Sequence, residues 1–132
     1  MRRSFSVLIS VVVLGVIWGC GASGSTPVTV VKTADGKVSY SQTIQPVLMD
    51  SCGSCHSEKR AKGGLVLASY SGLMKGGNRG AVVSPGNADE SQIIGSVERT
   101  REPHMPPAFA GDMPTEGIAA LRQWINEGAL DN

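Results

Sequence analysis

Aromatic residues make up only 5% of the 132-residue chain, which holds only two histidines and three cysteines. No hydrophobic run reaches the ~20 residues that a transmembrane helix needs. Basic residues form no cluster larger than Lys59-Arg60 with Lys62, so no nucleic-acid-binding face is predicted. With so few large side chains, a small domain is marginal by apolar burial alone. We therefore expect another group to fill its centre.

The first nineteen residues have the pattern of an export signal. Arg2 and Arg3 supply positive charge, and residues 7–18 form an apolar stretch that is interrupted only twice. This stretch suits the hydrophobic region of a signal peptide but is too short to span a bilayer comfortably. We expect residues 1–19 to be a signal peptide and the protein to be exported to the periplasmic or cell-envelope face.

Cys20 follows a small residue at the end of this segment, which resembles a bacterial lipobox. In that interpretation Cys20 carries a lipid, and this lipid is the protein's means of membrane attachment. Trp18 is larger than the residue that the pattern prefers, so an ordinary cleaved signal is the alternative. Residues 20–39 are predicted to be a flexible tether, because residues 21–26 are rich in glycine and serine. A short hairpin around Asp35-Gly36 is equally compatible with residues 28–38.

Residues 40–132 are predicted to form one all-α, loop-rich domain, with no strand pattern from which to build a sheet. Apolar residues recur at helical spacing in residues 41–49 and 88–97, and a short helix is expected at 71–75. Thr115 is expected to cap a last helix that Gly128 ends. The inward positions of these helices are Ile44, Val47, Leu48, Ile93, Ile94, Val97, Ile118, Leu121, Trp124 and Ile125.

Cys52-Gly53-Ser54-Cys55-His56 is a C-x-x-C-H sequence, the attachment pattern of haem c. The two thiols add across the two vinyl groups of the porphyrin, and the two-residue spacer matches their separation. His56 then lies beneath the iron as an axial ligand. The motif therefore predicts one covalent haem c, which would also supply the missing centre of the domain.

Three other interpretations of the two cysteines are weaker. A thioredoxin-like motif belongs in a βαβ context, which the surrounding sequence lacks. A zinc site would have to wrap the adjacent Cys55 and His56 around one tetrahedral metal. A simple disulfide is permitted in an exported protein, but the five-residue motif in an exported chain with few aromatic residues favours haem.

An axial ligand on the other side of the iron requires a sulfur or an imidazole. The available residues are Met49, Met74, His104, Met105 and Met113. His104-Met105-Pro106-Pro107 stands out, because prolines fix their own φ and restrain the residue before them, which holds a ligand stiffly. Arg79, Arg99 and Arg101 are candidates for pairing with the haem propionates, although solvated surface charge is the preferred explanation for each.

Several segments, in order over about 90 residues, resemble a known family. They are Ile44-Gln45-Pro46-Val47-Leu48, Lys62-Gly63-Gly64-Leu65, Leu73-Met74-Lys75-Gly76-Gly77, Val83-Ser84-Pro85-Gly86, Met105-Pro106-Pro107, Leu121, Trp124-Ile125 and Gly128-Ala129. From Tyr40 onwards the chain resembles the monohaem cytochrome c domains of planctomycete and related bacterial proteins, which are similar to class I cytochromes c. The resemblance implies a small helical domain whose first and last helices cross, with Met105 as the distal ligand. His104 is the alternative, and Met113 a weaker one.

These expectations favour an electron-transfer protein that exchanges single electrons with other redox proteins through transient contacts. With both axial positions filled, no site is open to a substrate, so the protein is not expected to be an enzyme. One alternative is a haem-based sensor or peroxidase-like protein with a labile sixth ligand. Another is a haem relay subunit of a larger redox complex.

Overall fold

The computed structural model describes residues 27–132, so the predicted signal peptide, Cys20 and the start of the predicted tether lie outside the described residues. The predicted all-α class is confirmed: this part of the chain contains isolated β-bridges but no strand. No helix in it is sufficiently long and apolar to cross a membrane. In chain order the α-helices are α1 (Gln45–His56), α2 (Tyr70–Lys75), α3 (Gln92–Val97) and α4 (Thr115–Asn126). A π-helical turn (Tyr40–Ile44) leads into α1, and 3-10 turns lie at Lys62–Gly64 and Ala108–Ala110.

The core forms where α4 packs against the π-helical turn and the first half of α1. Gly117 allows close approach there, since a Cβ atom at this position would lie 2.9 Å from Cγ1 of Val47. The contact between the first and last helical segments that the family resemblance implies is therefore present. The largest buried side chains at this contact are Ile44, Leu48, Leu121, Trp124 and Ile125.

Three aromatic rings cluster in the core, mainly in edge-to-face contacts. Tyr40 lies 5.3 Å from Tyr70 and 5.5 Å from Trp124, measured between ring centroids. The Tyr70 hydroxyl donates to the carbonyl of Ala129 at 2.9 Å, and the Trp124 indole donates to that of Leu130 at 2.9 Å. The Tyr40 hydroxyl is buried without a hydrogen-bond partner among the described residues. The cluster thus contains one unsatisfied polar group, which costs stability.

Removing the hydroxyl group should change the free energy of unfolding in opposite directions at Tyr40 and at Tyr70. Tyr40→Phe removes an unpaired buried oxygen and is expected to raise the free energy of unfolding by about 1 kcal/mol. Tyr70→Phe leaves the Ala129 carbonyl unpaired and is expected to lower it by a similar amount. Denaturant unfolding of the haem-loaded protein measures both, and a destabilised Tyr40→Phe variant would contradict the assignment.

Tyr40 is also expected to make the free energy of unfolding fall at alkaline pH. Burial, followed by the charge of Asp131, raises the pKa of Tyr40 to about 12, above the ordinary value of 10.0. Between these two pH values the unfolded chain releases the tyrosine proton while the folded one keeps it. Stability should therefore fall between about pH 10 and 12, by on the order of 2 kcal/mol. In the Tyr40→Phe variant this contribution should disappear from the pH dependence of unfolding.

The chain before residue 40 packs against the helices, which corrects the predicted tether. The N–H group of Val31 donates to Oγ1 of Thr43 at 2.8 Å, and Val38 is fully buried. A turn between Lys32 and Val38 brings these two residues into an isolated antiparallel bridge. The folded part thus begins near Val31 instead of Tyr40, because the apolar Val38 is covered by the core. Of the two interpretations of this segment, the short hairpin is the one that the geometry favours.

Two helix starts differ from the sequence prediction. The α3 helix begins at Gln92 and not near Ala88, because the buried Ser91 hydroxyl accepts from the N–H of Ser84 and donates to a carbonyl four residues back. Thr115 does not cap α4: it is the first helical residue, and Pro114 occupies the capping position. The Pro114 carbonyl accepts the N–H of Ile118 at 3.0 Å, which starts the helix without a side-chain cap.

Candidate functional site

A cavity of about 470 Å³ lies between the end of α1, the glycine-rich loops around α2, helix α3 and the loop that follows it. Its wall is mostly aliphatic, and no acidic side chain contributes to it. Three of the four residues predicted to bind haem line this one cavity: Cys52, His56 and Met105. The aliphatic side chains of the wall are Leu65, Leu67, Val82, Ile93 and Val97.

The two cysteines of the motif lie one turn apart on α1, and both are free thiols. Cys52 lines the cavity, whereas Cys55 is half-buried beside it and is not among the lining residues. Burial, with a smaller contribution from Cys55, raises the pKa of the Cys52 thiol to about 11. Cys52 is therefore a neutral thiol at pH 7, which is compatible with an apolar wall.

His56 is the last residue of α1, and the following segment fixes its ring. Its Nδ1 atom lies 3.2 Å from the carbonyl oxygen of Leu65, and because a carbonyl only accepts, Nδ1 carries the proton. The N–H of Leu67 donates to the His56 carbonyl at 2.8 Å, which ties the same segment to the helix end. The Nε2 atom is thereby left with a free lone pair, the state in which histidine ligates metals.

Met105 reaches the cavity from the loop between α3 and α4. Its N–H donates to the carbonyl of the buried Ser96 at 2.9 Å, so the backbone of the loop is attached to α3 at this residue. Gln92 holds the loop a second time, by donating from its side-chain amide to the carbonyl of Glu102 at 3.1 Å. The methionine is thus held by backbone contacts as well as by its prolines.

Arg99 joins the two ends of this loop. Its guanidinium donates to the carbonyl of Pro106 at 3.2 Å and forms an ion pair with Asp112. Pro106 directly follows Met105, so the arginine restrains the chain next to the candidate ligand. We call this set of contacts, made by Arg99, Pro106 and Asp112, the Arg99 bridge.

The competing sulfur and imidazole groups do not line the cavity. His104 is 40% exposed at its side chain and lies 3.4 Å from the carboxylate of Glu102. Met113 is buried in the core near Gly117, and Met74 packs partly buried against the same core. Among the described residues, Met105 is thus the candidate sixth ligand that lines the same cavity as His56.

Of the three arginines considered for the propionates, only Arg79 lines the cavity. Arg101 donates to the carbonyl of Asp89 at 2.7 Å, and Arg99 is used in its bridge. Sequence reasoning missed Lys62, Asn78 and Gln92 as lining residues. No sequence pattern predicts that these residues line the cavity, because the loops that carry them come together only in the folded structure.

The donor set fits a covalently held haem: a cavity-lining thiol with a second one turn away, an imidazole with a free nitrogen and a thioether on another segment. An all-α domain with this arrangement is a c-type cytochrome. Residues 52–108 match the family model described as Planctomycete cytochrome C. This match and the attachment motif together indicate haem c as the cofactor. No curated protein and no solved structure is significantly similar to the chain.

Proposed function

We propose that the protein is an electron carrier with one haem c attached to Cys52 and Cys55 and ligated by His56 and Met105. The observation that supports this most directly is that Cys52, His56 and Met105 line the same apolar cavity. Haem iron, when bound, supplies a ferric/ferrous couple, whose potential a methionine ligand raises.

The chain's own residues have three tasks in this proposal. The cysteines retain the cofactor, so that a change of oxidation state never releases it. The Leu65 carbonyl orients His56 and increases its basicity as a ligand. The aliphatic wall excludes water from the cavity. This keeps the reorganisation energy of electron transfer small, because few water molecules have to reorient when the charge changes.

If His56 and Met105 both bound the iron, no coordination position would be open to a substrate. We therefore propose a carrier and not an enzyme, and the sensor or peroxidase-like alternative requires Met105 to leave easily. The test is the absorption spectrum of the haem-loaded protein in both oxidation states, with carbon monoxide added to the ferrous form. A low-spin spectrum that carbon monoxide does not change supports the carrier. A high-spin spectrum that shifts would replace the carrier with the sensor or peroxidase-like protein.

The same proposal includes an exported location and transient redox partners. Residues 1–26 carry the signal and the candidate lipid site at Cys20, and the link from Cys20 to the folded part near Val31 is about ten residues. A lipid on Cys20 would hold the domain at the membrane surface, where it would meet its partners. A haem relay within a larger complex is the alternative, and stable co-purification of a partner would favour it.

We predict that Arg99→Ala loosens the ligand loop without removing the ligand. Loss of two contacts from the guanidinium should lower the free energy that favours the closed ligand loop by about 1 kcal/mol. This corresponds to about a fivefold rise in the population in which Met105 is detached from the iron. Imidazole added to the ferric protein should bind about fivefold more tightly, as measured by titration at the haem absorption band. The reduction potential should fall slightly.

Arg101→Ala is the matched control, because Arg101 bonds to the turn before α3 and not to Pro106. Arg99→Lys keeps the charge and should restore part of the effect. Equal imidazole affinities in the Arg99→Ala and Arg101→Ala variants would show that the Arg99 bridge does not position Met105.

A further inference from the structure

We propose that the protein forms a weak two-fold dimer, in which Phe109 of each copy inserts into a groove beside α1 of the other copy. The inference does not depend on the proposed carrier function, since neither Phe109 nor this groove belongs to the wall of the haem cavity. It assigns a partner to the most exposed large apolar side chain of the described residues.

Phe109 lies on an uncharged surface turn. Its side chain is 88% exposed, although aromatic residues are scarce in this chain. It belongs to the 3-10 turn Ala108–Ala110, where the N–H of Ala110 donates to the carbonyl of Pro107 at 2.8 Å. We call residues 107–111 the Phe109 turn. None of them is charged, so burying the turn against a partner removes no charge from water.

The Arg99 bridge ties the base of the Phe109 turn. The guanidinium contacts the Pro106 carbonyl on one side of the turn and Asp112 on the other. Phe109 is therefore held at the tip of a closed turn. A side chain presented by an ordered backbone loses less conformational entropy when a partner buries it.

A groove of about 250 Å³ lies between the first half of α1, the chain at Pro27–Thr29 and the residue before α4. A core cavity of about 150 Å³ accommodates a benzene ring, so this groove has room for one phenylalanine ring. Its polar residues Thr29, Gln42 and Asp50 are exposed. We call it the α1 groove, and its aliphatic wall consists of Pro27, Val28, Pro46, Val47 and Pro114.

The Phe109 turn and the α1 groove are close along the chain. Pro114 lines the groove and follows Phe109 by five residues, which span at most roughly 18 Å. A projection and a receptor that are neighbours on one molecule can meet twice across a two-fold axis, because each contact is repeated in the opposite direction. A second copy of this chain is therefore a partner that already carries both halves of the contact.

The available area fits a weak dimer. A phenylalanine side chain buries about 150–250 Å², and the groove that receives it loses a similar area. Over two contacts this amounts to roughly 600–1,000 Å², which is less than the ~1,200–2,000 Å² of stable complexes. We expect a dissociation constant on the order of 100 µM.

The α1 groove and the haem cavity use different faces of α1. Residues 46, 47, 50 and 51 line the groove, whereas residues 52 and 56 line the cavity. A phenylalanine in the groove would therefore not occupy the haem cavity, and the dimer can be tested with the haem-loaded protein.

The test uses the haem-loaded protein with Cys20→Ser, so that no lipid at this position contributes to association. Sedimentation velocity from about 5 to about 500 µM should show monomer changing to dimer. Phe109→Ser should weaken dimerisation by about 100-fold, because the substitution removes both contacts at once. Leu130→Ser is the matched control: Leu130 is also exposed but lines neither the groove nor the cavity, so the dissociation constant should stay the same.

Gln42→Arg tests the groove. Its longer side chain would enter the space that Gln42 and Asp50 line together, so a similar loss of dimer is expected. Gln123→Arg makes the same substitution at an exposed position of α4 outside the groove and should have no effect. An equal mixture of the Phe109→Ser and Gln42→Arg variants keeps one intact contact. This mixture should therefore associate about tenfold more tightly than either variant alone.

Three results would overturn the proposal. The first is a protein that stays monomeric at about 500 µM; if it instead bound phosphatidylcholine vesicles through Phe109, the partner would be a lipid surface. The second is an equal effect of Phe109→Ser and Leu130→Ser, which would show that Phe109 has no special part in association. The third is a mixture of the two variants that associates no better than its components, which would exclude the exchange of Phe109 between two grooves.

Discussion

Replacing Met105 with alanine should remove the sulfur-to-iron charge-transfer band from the near-infrared spectrum of the ferric protein. Met105 is the methionine that lines the cavity with His56, and its backbone is attached to Ser96. Without the thioether, the reduction potential of the haem should fall by on the order of 0.1 V, which is a fraction of the ~0.8 V range that axial ligands control. Absorption spectroscopy and voltammetry measure the two effects.

His104→Ala is the matched control one residue away. Its exposed imidazole lies near Glu102 and is not part of the cavity wall, so this variant should keep the band and the potential. A parent spectrum that is low-spin without the band, and that changes only in His104→Ala, would transfer the ligand role to His104. It would also predict a lower potential for the parent protein.

The Cys52→Ala/Cys55→Ala double variant should lose covalent haem completely. Both thiols lie on one helix turn before His56, and no other cysteine lies among the described residues. After denaturing electrophoresis the haem stain should fall to background, whereas each single variant should retain one link. Since the aliphatic cavity wall would then face water, loss of the cofactor should also remove most of the domain's stability, as followed by far-ultraviolet circular dichroism.

Ser54→Ala tests whether the motif tolerates change at its spacer. Ser54 is exposed, and its hydroxyl makes only a 3.8 Å contact with the sulfur of Cys55. Haem staining should therefore match that of the parent. Retention of covalent haem in the double variant would mean that attachment does not depend on Cys52 and Cys55, and the proposed site would be wrong.

Helical periodicity and the attachment motif predicted much of this architecture. The stripe Leu121, Trp124 and Ile125 is buried as expected, and α2 lies where the short helix was predicted. These features are local, because spacing of three and four residues determines which side of a helix is covered. The cysteine and histidine positions are equally local, since one helix turn contains them.

The contacts that hold the ligand loop depend on distant residues and leave no local signal. Arg99 meets Asp112 across thirteen positions, and a surface ion pair of this kind has no spacing rule. The position of Val38 likewise depends on a distant residue, since the backbone N–H of Val38 donates to the Glu127 carboxylate at 2.7 Å. The alternating pattern of residues 28–38 alone is equally typical of a loose linker, which explains the misplaced start of the folded part.

Ser39 lies within hydrogen-bond distance of Val31 near the start of the folded part and of Asn132, which follows α4. Its N–H donates to the Val31 carbonyl at 2.9 Å, while its hydroxyl lies 3.2 Å from the carbonyl of Asn132. Val31 and Asn132 therefore lie close together. A circularly permuted version, with Asn132 joined to Val31 by a short glycine-rich linker and new termini opened in an exposed loop, would keep every helix in place. Fusion at these adjacent ends would likewise add a second domain without entering the cavity wall.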